Sequence, residues 1–221
     1  MMAAVLVVAG LAVGLAVGLG GSHATTTSAS SAPSAASSSV TPTVSATPIT
    51  SAFPKAPPFD FHVLKSSPVR GSPRTRVKVV REGTRRAVRN IRDEMSRMYR
   101  LAFLDPADWR HDRYGPAFQL FTGDARETAR KHVTLLTLGR DAGKRFSAVA
   151  SAHGTLKIQV LLSRGGHPFT AVATADFRAR AVRASGGTTL VHSLGSYFLR
   201  PSKHGWLIFG FQVHRKDHPV A

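Results

Sequence analysis

Residues 169–183 read FTAVATADFRARAVR and alternate between two kinds of side chain. One kind is small or aromatic, and the other is polar or charged. The first set is Ala173, Ala175, Phe177 and Ala179, and the second set is Thr174, Asp176, Arg178 and Arg180. A period of two places successive side chains on opposite faces of an extended strand. The stretch therefore predicts a long strand with one face against a core.

Turn signals separate this strand from three others. The turn sequence SRGG at 163–166 follows a stretch with β character, 146–162, in which Gly154 indicates a turn or bulge. The glycines of the turns at 185–187 and 203–205 lead to strands over 189–200 and 206–215. We assign one face of the last strand to Leu207, Phe209, Phe211 and Val213, and the other to Trp206, Ile208, Gln212 and His214.

Helical spacing precedes the strands. Apolar residues recur every three or four positions over 84–104, with Thr84 as the predicted N-cap and Asp105-Pro106 as the stop. We expect a short helix over 106–114 and a third over 125–138, which Asp124 opens and Gly139 closes. Helices followed by successive hairpins indicate an α+β domain over 82–221, with the N-terminal helices packed on a curved antiparallel sheet of about four strands.

The N-terminal quarter has a different composition. Residues 1–54 contain no Lys, Arg, Asp or Glu, so the net charge of +18 lies on the remaining residues. Residues 3–21 are an apolar and glycine run of about 28 Å as a helix, long enough for a membrane anchor. Ser22 and Ala24 stand at the −3 and −1 positions of a signal-peptidase site. Residues 1–24 therefore predict either a signal peptide or a membrane anchor.

Residues 25–58 predict a disordered stalk. They are mostly Ser, Thr, Ala, Pro and Val, with charge only at Lys55, and cannot bury enough apolar surface to offset chain entropy. A chain with this order of segments is expected to hold its domain outside the cell membrane, or to be secreted.

Residues 59–81 predict a basic neck, because ten Lys or Arg between 65 and 92 face a single acid, Glu82. Such a run can contact anionic lipid headgroups, wall polymers or nucleic acid. The predicted polyanion contacts are Arg74, Arg76, Lys78, Arg81, Arg85, Arg86 and Arg89. We favour the membrane or wall because of the upstream segment. Nucleic acid is disfavoured because no recognition helix or interleaved aromatic signature is present.

Few residues suggest catalysis or metal binding. The chain has no cysteine, which excludes disulfides, thiolate metal sites and cysteine nucleophiles. Asp176 and His192 lie on adjacent predicted strands and could form a general base, but the polar neighbours of Asp176 indicate a solvated surface instead. The cluster Asp108, Trp109, His111, Asp112 and Tyr114 is interpreted as caps and turn residues. His214 and His218 have a ligand spacing only on a helix, so no metal or cofactor is predicted.

The element order, closing on Gly195-Ser196-Tyr197-Phe198-Leu199 and Gly205-Trp206-Leu207-Ile208, resembles the NTF2-like (cystatin-like) superfamily. The resemblance covers residues 82–215. With the N-terminal apolar segment, the chain looks most like the membrane-anchored mammalian-cell-entry-associated proteins of high-GC bacteria. The resemblance implies a conical sheet, a pocket between the sheet and the helices, and usually an accessory role, although some members of the superfamily are enzymes.

We therefore expect a non-catalytic, extracytoplasmic accessory or interaction domain of a cell-envelope complex, with an envelope protein as partner. The first alternative is a small-ligand-binding protein, or an enzyme of the hydrolase or isomerase type, that uses the pocket of the cone. The second alternative is a basic protein that binds nucleic acid.

Overall fold

The computed structural model describes residues 55–70 and 77–220, and the strands among them form one sheet. Its strands are β1 (His62–Arg70), β2 (Phe146–Leu162), β3 (Pro168–Arg183), β4 (Thr188–Ser202) and β5 (Gly205–Val220). The strand order follows the chain, from β1 to β5. β1 runs parallel to β2, and every later pair is antiparallel. The predicted signal or anchor and most of the predicted stalk lie outside the described residues.

The strand predicted from alternation is β3, and its faces are confirmed. Ala173, Ala175 and Phe177 are fully buried, whereas Arg178 and Arg180 are exposed. β4 continues the same inner face, because Phe177 stands opposite Ser193 and Ala173 opposite Tyr197. Both Ser193 and Tyr197 are buried as well. The alternation thus directs one face of the central hairpin toward the core.

The predicted faces of the last strand are wrong in its first half. Phe198 pairs with Gly210 but Leu199 pairs with Ile208, so Phe209 is an extra residue in β5. Such a bulge shifts the alternation by one position. As a result Ile208 is buried, whereas Phe209 is 44% exposed. Beyond the bulge the predicted faces hold, because Val213 is buried whereas Gln212 and His214 are exposed.

The helices differ from the predicted ones mainly at their boundaries. The long helix α1 spans Val77–Tyr99, and a π-helical turn, Arg100–Leu104, extends it to Asp105. Thr84 is therefore not an N-cap, because it lies inside α1, where it is buried. The later helices are α2 (Pro106–Trp109), α3 (Gly115–Phe118), α4 (Gly123–Lys131), α5 (Val133–Leu136) and α6 (Ala142–Arg145).

Two of the predicted helices are shorter in the structure. The helix predicted over 106–114 ends at Trp109, and Asp105 caps its start: the Asp105 side chain accepts a hydrogen bond from the Ala107 amide at 2.9 Å. The helix predicted over 125–138 is divided at His132 into α4 and α5. His132 has ψ 33°, outside the helical range, which explains the division.

Residues 59–70 of the predicted basic neck contribute to the sheet and to its core. β1 is paired with residues 155–162 of β2 and gives the sheet one strand more than the predicted four. Phe59 and Phe61 are buried just before it, and the Phe61 amide donates to Ser96 Oγ of α1 at 3.0 Å. β1 lies at the edge of the sheet, where Pro68 is tolerated.

The described residues therefore form a mixed α+β structure with a five-stranded sheet, and α1 packs against its buried face. This is the kind of architecture that the resemblance to the NTF2-like superfamily implied. Among residues 55–70 and 77–220, no helix is both long enough and apolar enough to span a bilayer.

Candidate functional site

The space between α1 and the sheet, where the resemblance placed a pocket, contains packed aromatic rings. Tyr99 and Phe103 of the helical segment meet Phe177 of β3 with ring centroids 4.9 and 5.0 Å apart. Phe59 contacts the same ring at 5.3 Å. Tyr99, Phe103 and Phe177 are at most 1% exposed. Side chains of the protein itself thus fill the centre of this layer.

The polar groups in this core bind one another. Tyr99 Oη lies 2.9 Å from Tyr197 Oη and 3.3 Å from Ser193 Oγ, and all three residues are buried. Burial raises the pKa of both tyrosines, that of Tyr197 well above its ordinary value. Both phenols are therefore neutral at physiological pH. The arrangement is that of a buried hydrogen-bond network that fixes α1 against β4.

Asp176 and His192 are in contact, but they lie on the face of the sheet that is turned away from α1 and the aromatic core. His192 Nε2 lies 3.0 Å from Asp176 Oδ1, and both side chains are partly exposed. Arg178 Nε is 3.5 Å from the same carboxylate oxygen, so the carboxylate is shared between the imidazole and a guanidinium. The pair is separated from the aromatic core by the sheet itself. This environment matches the solvated strand surface that the sequence indicated.

The cluster of Asp, His and aromatic residues at 108–114 stabilises the fold through burial, hydrogen bonding and a turn. Trp109 is fully buried, and Tyr114 donates a hydrogen bond to the Gly139 carbonyl at 2.8 Å. Burial raises the pKa of Tyr114 to about 12, so it stays a donor at physiological pH. Asp112 has a φ of 55°, the left-handed conformation that Asp tolerates in turns. These features support the interpretation of the cluster as caps and turns.

Asp108 of this cluster makes stability depend on pH. Burial, followed by repulsion from Asp105, raises the pKa of Asp108 from 3.8 to about 6, although Arg113 opposes the shift. The unfolded chain then holds fewer protons at this carboxyl between pH 4 and 6, so the free energy of unfolding falls as pH rises through that window. We expect Asp108→Asn to raise the free energy of unfolding at pH 7.5 by about 1 kcal/mol, after allowance for solvent screening.

Urea unfolding of both proteins at pH 3.5 and at pH 7.5 tests this expectation. At pH 3.5 the two free energies should agree to within about 0.3 kcal/mol, because the Asp108 carboxyl is then protonated in the folded chain and about two-thirds protonated in the unfolded chain. An equal stabilisation at both pH values would show that the amide acts through its hydrogen bonds and not through the lost charge.

The predicted polyanion contacts lie on two sides of α1. Arg81, Arg85 and Arg89 recur one turn apart on the side of α1 that faces β1. Arg86 lies on the other side, with Glu82. Arg74 and Arg76 are outside the described residues, and the side chain of Lys78 is not described. The structure therefore separates the arginines that the sequence grouped together.

Each side of α1 borders a cavity. The cavity on the side of Arg86 has a volume of about 390 Å³ and is also lined by His167 of the turn after β2 and by Trp206 at the start of β5. The groove on the other side, between β1 and α1, has a volume of about 600 Å³. Its lining residues are Ser66, Pro68, Val80, Arg81, Thr84, Arg85, Val88 and Arg89. We call it the β1–α1 groove.

The charge of the β1–α1 groove is positive. Arg81, Arg85 and Arg89 are exposed, and none forms an ion pair within 4.0 Å with any described carboxylate. Successive guanidinium-bearing positions are about 6 Å apart along the helix. Such a row attracts carboxylate or phosphate groups, which the planar guanidinium binds through two hydrogen bonds.

The two histidines with a spacing of four lie on a strand and not on a helix. His214 and His218 are exposed on strand β5, where four residues span about 13 Å. In the part of the chain that the structure describes, no three His, Asp or Glu side chains are grouped so that they could hold a metal ion.

The sequence interpretation missed the β1 wall of the groove. The run of basic residues that begins at Lys65 indicated a neck over 59–81, which includes Ser66 and Pro68. The available signal was the pair Phe59 and Phe61, whose period-two spacing is that of a strand entering a core.

No protein-family model matches the chain, and no curated protein matches it. Among solved structures, the chain is similar to a hexachlorocyclohexane dehydrochlorinase (LinA), type 2. The identity is 12%, the TM-score is 0.42, and the match covers 65% of this chain and 93% of that chain.

Proposed function

We propose that this chain is a non-catalytic, extracytoplasmic accessory domain of a cell-envelope complex, held on anionic polymer or lipid by the basic side of α1. The observation that carries the proposal is the row Arg81, Arg85 and Arg89, which is exposed and has no ion-pair partner among the described carboxylates. The net charge of +18 strengthens the attraction to any polyanion.

The packed core supports a role other than catalysis in the cone. Tyr99, Phe103 and Phe177 occupy the layer in which an NTF2-like pocket would lie, and each is at most 1% exposed. The titratable pair Asp176 and His192 is on the far face of the sheet and shares its carboxylate with Arg178. The aromatic side chains thus fill the interior, and the charged and titratable groups lie on the surface, where a partner can bind them.

The salt dependence of binding to a phosphate polymer tests the proposed surface. We expect the full chain in non-ionic detergent to bind immobilised polyphosphate, and the double variant R85Q/R89Q to elute at lower salt. If both arginines contact phosphate, the slope of log affinity against log salt should fall by about 2. The measurement is the elution concentration of sodium chloride, together with affinities at four salt concentrations.

The matched control is R130Q/K131Q, which removes the same charge from exposed positions of α4. Equal elution of the two double variants would mean that total charge, and not the α1 surface, determines binding. Tighter binding to single-stranded DNA than to polyphosphate of equal charge would instead favour the nucleic-acid alternative.

Protease accessibility in intact native cells tests the proposed location. We expect added protease to cleave the domain without lysis, and mass spectrometry of the N-terminus to show whether residues 1–24 are removed. Recovery of the protein in the cytosolic fraction would contradict the extracytoplasmic proposal and would redirect the basic surface toward nucleic acid.

A further inference from the structure

The β1–α1 groove has the size and shape of a ligand site. It is bounded by a strand on one side and a helix on the other, and its volume of about 600 Å³ lies within the usual range of small-molecule pockets. Both walls are held by the fold, because β1 is paired to β2 and α1 is anchored to Phe61 through Ser96. The concavity therefore persists without a ligand.

The lining is divided into an apolar part and a cationic part. The apolar part consists of Val88 of α1 and Pro68 of β1, with Val80, which is buried in the core, two turns before Val88 at the floor of the groove. Arg81, Arg85 and Arg89 lie along one side of the same surface. A ligand that satisfies both parts carries an apolar chain and an anionic head.

Thr84 supplies an independent indication that the groove takes a polar group. It lies between the two valines and is 8% exposed, and its Oγ1 has no hydrogen-bond partner among the described residues. A threonine inside a helix commonly satisfies its hydroxyl by bonding the carbonyl four residues earlier. Because Thr84 does not, an oxygen acceptor on a bound ligand would complete its hydrogen bonding.

We propose that the β1–α1 groove binds one molecule of an anionic amphiphile, with its apolar chain against Val88 and Pro68 and its phosphate or carboxylate head against Thr84, Arg85 and the neighbouring arginines. The inference rests on the proposed function, because both use the same side of α1. It goes further in that one small molecule occupies the groove, whereas the proposed function requires only contact with a polyanionic surface. A flexible polyanion is the less suitable occupant, since it would leave the apolar part of the groove unused.

Binding of short alkyl phosphates below their micelle concentration tests the proposal. We expect the full chain to bind decyl phosphate at one site by titration calorimetry. Affinity should rise about fourfold for each added CH₂ buried, and so about sixteenfold from octyl to decyl phosphate. Decyl trimethylammonium, which has the same chain and the opposite charge, should not compete.

Two neighbouring arginines provide matched variants. Arg85→Gln should weaken decyl phosphate binding at least tenfold, because Arg85 lines the groove. Arg86→Gln removes the same charge from the opposite side of α1 and should leave the affinity unchanged. Thr84→Val, which keeps the side-chain shape, should weaken binding while the melting temperature is maintained or rises.

Three results would overturn the inference. The first is that Arg85→Gln leaves the affinity for decyl phosphate unchanged. The second is that octyl and decyl phosphate bind with the same affinity. The third is that inorganic phosphate binds as tightly as decyl phosphate. The polyphosphate measurement separates the two proposals. If polyphosphate is retained through Arg85 and Arg89 but decyl phosphate does not bind, the amphiphile site alone is wrong. If neither binds, the proposed function is wrong as well.

Discussion

The Phe177→Ala variant is expected to lose about 3–5 kcal/mol of unfolding free energy. The ring of Phe177 is fully buried, and its centroid lies 4.9 Å from that of Tyr99, 5.0 Å from Phe103 and 5.3 Å from Phe59. Removing it leaves a cavity bordered by three elements that cannot all move inward. Because small domains have only about 5–15 kcal/mol of stability, urea unfolding should show the change clearly.

Phe169→Ala is the matched control for this measurement. Phe169 lies on the same strand, and its side chain is 53% exposed, so the same truncation should cost less than about 1 kcal/mol. Similar losses in the two variants would mean that the interior between α1 and the sheet is not packed as described. A ligand pocket in the cone would then become possible again, because a pocket wall loses little when one ring is removed.

Phe61→Ala is expected to cost a further large amount, about 3–5 kcal/mol, and to loosen β1. Its ring lies 4.9 Å from Tyr99 and directly over Gly154, where an added Cβ would come within 2.5 Å of Phe61 Cε1. Glycine at position 154 thus lets the ring approach the backbone of β2. The measurement is urea unfolding combined with hydrogen exchange of the β1 amides, which should lose protection.

Leu64→Ala is the control on the same strand, since Leu64 is 55% exposed. The comparison separates the two interpretations of residues 59–70. If these residues are a strand of the domain, only Phe61→Ala should be destabilising. If they are a neck outside it, both variants should unfold like the unmodified chain.

The hairpins of the fold were predictable because the pattern that specifies them is local. Alternation in β3 identified its buried face, and the turn glycines separated β2, β3, β4 and β5 correctly. The neighbouring positions of Asp176 and His192 also followed, because a short turn fixes which residues of two strands lie side by side. Their solvated environment followed as well, because polar and charged residues share the strand face of Asp176.

The bulge in β5 and the β1–α1 groove could not be predicted, because both depend on contacts between residues that are distant in sequence. The bulge at Phe209 is specified by the pairing of β5 with β4, and the adjacent Gly210 is compatible with a bulge but does not by itself locate one. The β1–α1 groove requires residues 66–68 to lie beside α1, which follows from the pairing of β1 with residues 155–162. Sequence periodicity carries no signal for such a parallel pairing.

The parallel pairing of β1 also constrains the order in which the chain can fold. His62 pairs with Thr155, which is 93 residues later, so β1 has no partner until more than half of the domain has been synthesised. At about 5–20 residues per second, that interval is about 5–20 s. Phe59 and Phe61 emerge first and wait longest for the rings and strand that bury them. A holdase acting on the nascent chain would have its earliest apolar target of the domain there, at the segment that completes the sheet.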